Sequence, residues 1–410
     1  MGAQIAAHLA NASVPSLLFD LPGLAKQSLA RLTKMDPAPL FDRDLVSLIA
    51  PLEFESDFKR LKEADWILEA VVEDLDVKRK LLQSILPHIR PDALITSNTS
   101  GLPLSQIAAE MPSDFKKRWF GTHFFNPPRY LKLLELIPTP ESDPKLLHDF
   151  ADFSERALGK GTVYAKDTPN FIANRLATFG GLYTLNVVLE EGYTVEEIDA
   201  LTGPIIGRPK TATFRLFDLI GIDVICFVAK NLYDNAQEDE QRETFKVPVV
   251  LREMLNRKWL GAKSGQGFYK KEGSEILAFD LKTTEYRPQK KPSFASVEMA
   301  RPLEDAGQRL ANLARAKDRA GAFLWKTLSA LLTYTAHRIP EISDDILNID
   351  HSMKWGFGWS HGLFEIWDAI GVSRSVEQMR ADGRRLPSWI DRLLAEKDPS
   401  FYKAGNGEML

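Results

Sequence analysis

Two polar residues stand alone among apolar neighbours: His123 in Gly121–Pro128 (GTHFFNPP) and Glu135 in Leu131–Ile137 (LKLLELI). If residues Pro127–Leu131 reverse the chain about Arg129, partners across the hairpin have numbers summing to 258, as 123 and 135 do. The two side chains would then share one face of the sheet. A buried carboxylate beside an imidazole fixes its tautomer, raises its proton affinity and stabilises the imidazolium, which describes a general base and its orienter. The alternative is a structural His–Glu pair in a core.

A second cluster, Thr96–Gly101 (TSNTSG), closes the apolar run Ala93–Ser97. Ligands of parallel sheets sit at the carboxyl ends of strands, where Asn98 and Ser100 offer an amide and a hydroxyl. Capping of a helix at Leu104 is the plainer reading. Asn174–Arg175 places polar groups one turn into a long apolar helix, where Asn is a poor helix former. Gly261–Tyr269 (GAKSGQGFY) is glycine-rich but lacks the Walker spacing, so it is no P-loop, and Lys263 is its candidate for reaching a phosphate or carboxamide. Finally, Gly2 and Asp20 lie 18 residues apart. A dinucleotide fold needs a glycine where its first helix packs closely and an acid about 20 residues beyond the loop for the ribose. An aspartate after a strand is also an ordinary turn former.

Elements that could position these groups follow from the apolar pattern. Val14–Asp20, Asp65–Val72, Ala93–Ser97, Trp119–Phe125 and Lys132–Ile137 read as strands, and Gly2–Asn11, Gly23–Met35, Leu75–Leu86, Leu104–Met111 and Pro144–Leu158 as helices. Ser113/Asp114 and Pro138–Asp143 read as turns. This α/β domain spans 1–166. From Phe171 the apolar residues Ile172, Leu176, Phe179, Leu182 and Val187 follow a helical period, giving an all-α domain over 167–272. The polar stretch 273–297 reads as a linker, and a second helical block fills 298–397. That block repeats the first: Ile198-Asp199, Gly207, Phe214 and Phe217–Ile222 overlay Ile349-Asp350, Gly358, Phe364 and Trp367–Val372 at an offset of about 150.

The 410 residues carry 52 Lys+Arg against 56 Asp+Glu, a net charge of −4, with no basic excess for nucleic acid. The single cysteine, Cys226, excludes a disulfide framework and a multi-cysteine zinc site, so no metal centre is expected. No apolar run reaches the ~18 residues of a membrane helix and no basic region precedes an apolar leader, which together read as a soluble cytoplasmic protein without membrane insertion.

In combination, SNTS, GTHFFNPP, LLELI, DTPNFIANR and GAKSGQGFY resemble the L-3-hydroxyacyl-CoA dehydrogenase family of fatty acid β-oxidation, over about residues 1–390. The resemblance implies a Rossmann-like NAD-binding domain followed by two repeated helical C-terminal units. It also implies NAD as cofactor, an acyl-CoA substrate, and NAD-dependent oxidation of (3S)-3-hydroxyacyl-CoA to 3-oxoacyl-CoA. By it, His123 is the base that takes the 3-hydroxyl proton, Glu135 its acidic partner, Ser100 a hydroxyl on the substrate oxygen or nicotinamide, and Asn174 an amide near the reacting carbonyl. Gly2, Asp20, Glu73, Lys78, Asn98 and Lys263 match cofactor-contacting positions. The duplicated block is similar to the dehydrogenase part of multifunctional β-oxidation proteins, in which an enoyl-CoA hydratase domain lies elsewhere. The second repeat lacks an Asn-Arg pair and is expected to pack or dimerise.

Against the family pattern, only the third glycine of G-x-G-x-x-G is present and the first strand is missing. The N-terminus therefore reads as truncated, and the ending Phe401–Leu410 looks cut before a further domain. Asn170 stands where the family commonly has glycine, and Asn tolerates the left-handed backbone. Two rival readings remain: a truncated, inactive piece serving as a folding or dimerisation module, and a dehydrogenase of non-CoA hydroxy acids or a crystallin-like relative.

Overall fold

Apolar runs buried on both faces form the central strands, continuous in hydrophobicity as in a sheet covered by helices. The computed structural model describes residues 1–403, which divide into a first unit, Met1–Ile172, and a second beginning at Ala173. The first unit runs α1 (Gly2–Asn11), β1 (Ser16–Asp20), α2 (Leu24–Leu32), β2 (Ile49–Glu53), β3 (Trp66–Glu69), α3 (Leu75–Ile85) and β4 (Leu94–Ser97). It continues through α4 (Leu104–Ile107), α5 (Ser113–Lys117), β5 (Trp119–Phe124), β6 (Leu133–Pro138), α6 (Pro144–Arg156) and β7 (Gly161–Tyr164). Five strands stand in the order β3-β4-β5-β6-β7, antiparallel only between β5 and β6, while β1 and β2 form a separate parallel pair.

Helix α1 bridges the two sheets. Ile5 and Leu9 join Phe120, Leu134 and Leu136 of the larger sheet and Phe150 of α6, and Ala6, Ala7 and Ala10 pack with Leu32, Leu40 and Ile49 on the side of the smaller one. Burying each of the two larger side chains contributes roughly 1.5–3 kcal/mol, which fixes the helix across both. A Cβ on Gly2 would lie 3.8 Å from Ala70 Cβ and 3.9 Å from Leu18 Cδ1, so the start of α1 stands between β1 and the end of β3. All of β1 and the first three residues of β3 stay half-buried, whereas every residue of β5 is buried.

The five expected strands and five expected helices are present, several with shortened ends, and two strands were not foreseen. β2 contains Pro51, which the sheet tolerates because β2 is an edge strand paired on one side. β7 is only four residues long and begins on glycine. The expected helix over Leu104–Met111 stops at Ile107, and the expected turn at Ser113/Asp114 is instead the start of α5. The division between units falls at Ile172 and not at residue 166. Asp167 accepts the α4 backbone N–H groups of Leu104 and Ser105, and the Ile172 N–H holds Glu135, so this segment is tied to the first unit.

In the second unit come α7 (Ala173–Glu191), α8 (Val195–Leu201), α9 (Phe214–Ile220), α10 (Ile222–Asn235), α11 (Val249–Asn256), β8 (Tyr269–Glu272), β9 (Glu275–Asp280) and β10 (Glu285–Pro288). They are followed by α12 (Ala295–Ala300), α13 (Ala306–Ala314), α14 (Arg319–His337), α15 (Ile346–Phe357), α16 (Leu363–Ile370), α17 (Val372–Ala381) and α18 (Ser388–Leu394). The stretch expected as a linker is an antiparallel sheet, β10-β9-β8, tied back by the fork of Arg287 on Glu196 at 2.7 and 3.1 Å. Its strands each carry charged residues and bury only Ala278 and Phe279, both in β9.

Two aspartates in each half bind backbone in the same way. Asp199 accepts the N–H groups of Phe214 and Arg215 and the hydroxyl of Tyr269, and Asp218 those of Phe268 and Tyr269. Asp350 accepts from Phe364, Glu365 and the Tyr402 hydroxyl, and Asp368 from Phe401 and Tyr402. The second half therefore runs past the expected limit at residue 397. Of the ending Phe401–Leu410, residues 404–410 lie outside those described. The halves meet along α7 and α14, where Phe179 stacks on Tyr334 with centroids 3.9 Å apart. Arg175, fully buried, donates to the Tyr334 hydroxyl and to Asp239, both at 2.6 Å.

Candidate active site

Antiparallel pairing of β5 with β6 sets His123 opposite Glu135 in the expected register. His123 Nδ1 lies 2.6 Å from Glu135 Oε2, with the histidine 4% and the glutamate 0% exposed. The other carboxylate oxygen accepts the Ile172 N–H at 3.2 Å. Both oxygens thus take donors, which assigns the proton to Nδ1 and leaves the Nε2 lone pair outward, without a protein partner in this unit. Phe125 and Phe171 pack on the imidazole with centroids 4.6 and 5.6 Å away, shielding it from bulk water.

The chain segment that reaches Glu135 is strained. Asn170 has φ +64°, which its side chain tolerates as expected, but Phe171 follows at φ +51°, where a bulky residue is unfavourable. Phe171 is fully buried against His123, and the packing that holds it there delivers the Ile172 N–H to Glu135. Beneath the hairpin, the buried ammonium of Lys160 donates to the carbonyls of Pro128 and Leu131. Burial brings Lys160 down to about 8. It pins the turn that keeps β5 and β6 in register.

Loop residues after β4 sit beside this pair. Asn98 Oδ1 accepts the Phe124 N–H at 2.9 Å, tying the loop to β5 next to His123. Glu73 Oε1 accepts the Thr99 hydroxyl at 2.7 Å and the N–H groups of Ser100 and Gly101 at 2.8 and 3.1 Å. This shapes the loop and leaves the Ser100 hydroxyl without a partner in the unit. Ser100 is not the helix cap: Asp167 caps α4 from 63 residues away.

Lys78 departs from expectation. Read as a cofactor contact, it is 1% exposed and gives its ammonium to Glu69 at 2.8 and 3.0 Å and to Glu73 at 3.3 Å. Its charge is spent inside the protein, and Glu73 too acts chiefly on the loop backbone. Glu69, which sequence reasoning missed, is the hub: it also accepts the Ser97 hydroxyl at 2.5 Å and the Val71 N–H at 2.7 Å. Its position at the end of an apolar strand, nine residues before a lysine on a helix, was the available signal.

Asp20 ends β1 half-buried, with one oxygen on the Leu21 N–H at 2.8 Å. Gly2 opens α1, whose first N–H groups have no intrahelical acceptor. Asn174 and Lys263 belong to the second unit. Asn174 is half-buried beside the anchored Arg175, and Lys263 pairs with Asp223 at 2.5 Å. The loop glycines around Lys263 have a packing reason: a Cβ on Gly267 would fall 1.9 Å from Asp218 Oδ1, and one on Gly261 2.2 Å from the Asp218 carbonyl. The loop is built to clamp Asp218, and its lysine pairs with Asp223 at the surface.

The first unit is an α/β domain with an acid at the end of a strand of its smaller parallel sheet and a carboxylate-held imidazole near the carboxyl end of a strand of its larger one, an arrangement of the dinucleotide-binding dehydrogenase class. A model of the 3-hydroxyacyl-CoA dehydrogenase NAD-binding domain matches residues 1–168, and one of the 3-hydroxyacyl-CoA dehydrogenase C-terminal domain matches 171–271. A Deinococcus radiodurans relative named "Probable 3-hydroxyacyl-CoA dehydrogenase" is 44% identical over 69% of this chain and 84% of its own. A Bacillus subtilis relative of the same name is 44% identical over 99% of this chain but 54% of its own, so the chain spans about half the length of that relative. The crystal structure of 3-hydroxybutyryl-CoA dehydrogenase from Escherichia coli has the same fold, with a TM-score of 0.70 at 20% identity over 96% of this chain and 95% of that one. The chain belongs to the 3-hydroxyacyl-CoA dehydrogenase family, and its cofactor is NAD. Among the described residues no helix is long and apolar enough to cross a membrane, and no cluster of His, Cys, Asp and Glu could hold a metal ion.

Proposed function

We propose that the chain carries out NAD-dependent interconversion of (3S)-3-hydroxyacyl-CoA and 3-oxoacyl-CoA in a cytoplasmic fatty acid oxidation system. The observation that carries this reading is the buried His123–Glu135 pair with Nε2 left open. Nε2 takes the proton of the substrate 3-hydroxyl as the C3–H bond breaks, and Glu135 stabilises the imidazolium that forms. NAD, when bound, accepts the hydride from C3. Ser100 and Asn98 offer polar groups at the same strand end, and Asn174 is assigned to the substrate carbonyl. The residues present suit the cofactor in two respects: Asp20 is placed for a ribose hydroxyl, and the start of α1 presents free N–H groups of the kind that hold a pyrophosphate. The acyl-CoA substrate and an enoyl-CoA hydratase partner domain are in keeping with a Rickettsia prowazekii relative, 30% identical, named for a trifunctional fatty acid oxidation complex.

Two finer readings belong here. The gap between β1 and β3 is read as the place of a further parallel strand, which the half-buried apolar faces of both flanking strands and the position of Gly2 between them support. The two helical halves are read as repeats, supported by the matching Asp199/Asp218 and Asp350/Asp368 clamps. The second half packs on α7 through α14. Reduction of acetoacetyl-CoA by NADH, with a His123→Gln control, tests the function. Turnover lost in the variant supports it, and turnover that survives the substitution overturns it.

A further inference from the structure

Several arginines of the second unit that are buried or half-buried come with carboxylates. Arg175 has Asp239 and Glu341, Arg287 has Glu196 and Asp280, and Arg338 has Asp239, Glu240 and Glu341. Arg208 differs. No carboxylate lies within ion-pair distance among the described residues, its Nε is buried without a partner, and its guanidinium stacks on Trp359 at 3.8 Å from the ring centroid. Burial alone brings it down to about 10, with no acid offsetting the effect. The residue is half-buried, and it is its Nε that is left without either water or a partner.

Arg208 lines a small, partly open cavity of about 30 Å3 between the two helical halves. Leu310, Leu324, Leu331 and Ile366 of the second half form most of the apolar wall; of the three threonines that line it, Thr202 and Thr327 spend their hydroxyl hydrogen bonds within the protein, and the third is Thr184 of α7. Thr184 is 6% exposed, and its hydroxyl has no partner in the unit. The cavity thus offers a cation at one wall, a spare hydroxyl donor at another, and room for about two water-sized groups at roughly 10–15 Å3 each.

We propose that this cavity binds a small monovalent anion no larger than acetate, held by the Arg208 guanidinium and the Thr184 hydroxyl. The anion neutralises Arg208 and couples the two halves, because the cation comes from one and most of the apolar wall from the other. Both groups are donors, which excludes a cation. The volume excludes an acyl chain.

The test uses the full chain, with sodium acetate or chloride exchanged for gluconate, too large for the cavity, at fixed ionic strength. The thermal midpoint should rise and saturate with acetate or chloride, as expected when a ligand binds only the folded state, and Trp359 emission should change over the same range. Arg208→Met should abolish both responses. Thr184→Val, which keeps the shape of the wall, should weaken the apparent affinity about tenfold, and Trp359→Phe should remove the emission change while leaving the midpoint shift. A midpoint indifferent to the anion, as for a cavity holding only water, overturns the proposal. So does an undiminished response in Arg208→Met; if that variant fails to fold, an unchanged affinity in Thr184→Val has the same force.

Discussion

Replacing Glu135 by glutamine keeps the shape of the side chain and reverses the logic of its hydrogen bonds. In the native protein one oxygen receives the His123 Nδ1 proton at 2.6 Å and the other the Ile172 N–H at 3.2 Å. A glutamine satisfies only one of these. With its amide NH2 toward His123, Nδ1 must accept, the ring proton moves to Nε2, and the base has no lone pair where the substrate arrives. With its oxygen toward His123, the NH2 faces the Ile172 N–H, and two buried donors oppose each other. General-base assistance is worth about 10²–10⁴-fold, or ~3–5 kcal/mol at 1.36 kcal/mol per decade. The expected result is a loss of that size in kcat for NADH-dependent reduction of acetoacetyl-CoA. Nitrogen-15 NMR of the imidazole should show Nδ1 protonated in the parent and Nε2 protonated in the variant. A variant within fivefold of the parent that keeps the Nδ1-protonated ring would refute the assignment.

Other outcomes follow from the same geometry. His8 is buried with Nε2 on the Leu158 carbonyl at 3.1 Å, and burial, aided by the Lys160 charge, lowers it to about 4. Because the folded protein disfavours the protonated ring, the stability it contributes is present above the unfolded value near 6.5 and is lost as pH falls through 4, by about 3 kcal/mol. His8→Gln should flatten the denaturation-midpoint profile over that window. Asp239→Ala leaves Arg175 and Arg338 short of their shared carboxylate and should cost ~3–5 kcal/mol in a denaturant titration. Gly267→Ala forces a methyl into Asp218 Oδ1 and should destabilise the second unit by about 3 kcal/mol, read by hydrogen exchange of the β8 amides. Asp167→Ala uncaps α4 and should cost ~1 kcal/mol; an unchanged midpoint would show that another group replaces it.

The His123–Glu135 pairing was legible because an antiparallel hairpin reduces to arithmetic on residue numbers once its turn is found. The clamp of Asp167 on α4 and the Glu69–Lys78–Ser97 hub were not, since each joins separate elements and depends on how strands stack sideways, which no local period records. β2 was hidden by Pro51, and β8–β10 by their brevity and their charged residues, because strands at an edge or on a polar surface need not alternate. The glycines around Lys263 have a reason that no local pattern records, since only the Asp218 backbone and carboxylate beneath them reveal what the glycines make room for.

The hairpin that joins base to orienter also has a consequence in time. His123 and Glu135 are 12 residues apart, and loops of that length close in ~10–100 ns, with whole hairpins forming in ~1–10 μs. Asp20 reaches its place only when β1 pairs with β2, Asp20 opposite Glu53, across a far longer span of chain. The proton-handling pair is thus joined by a short local closure, whereas the register of β1 with β2 waits on a longer crossover connection.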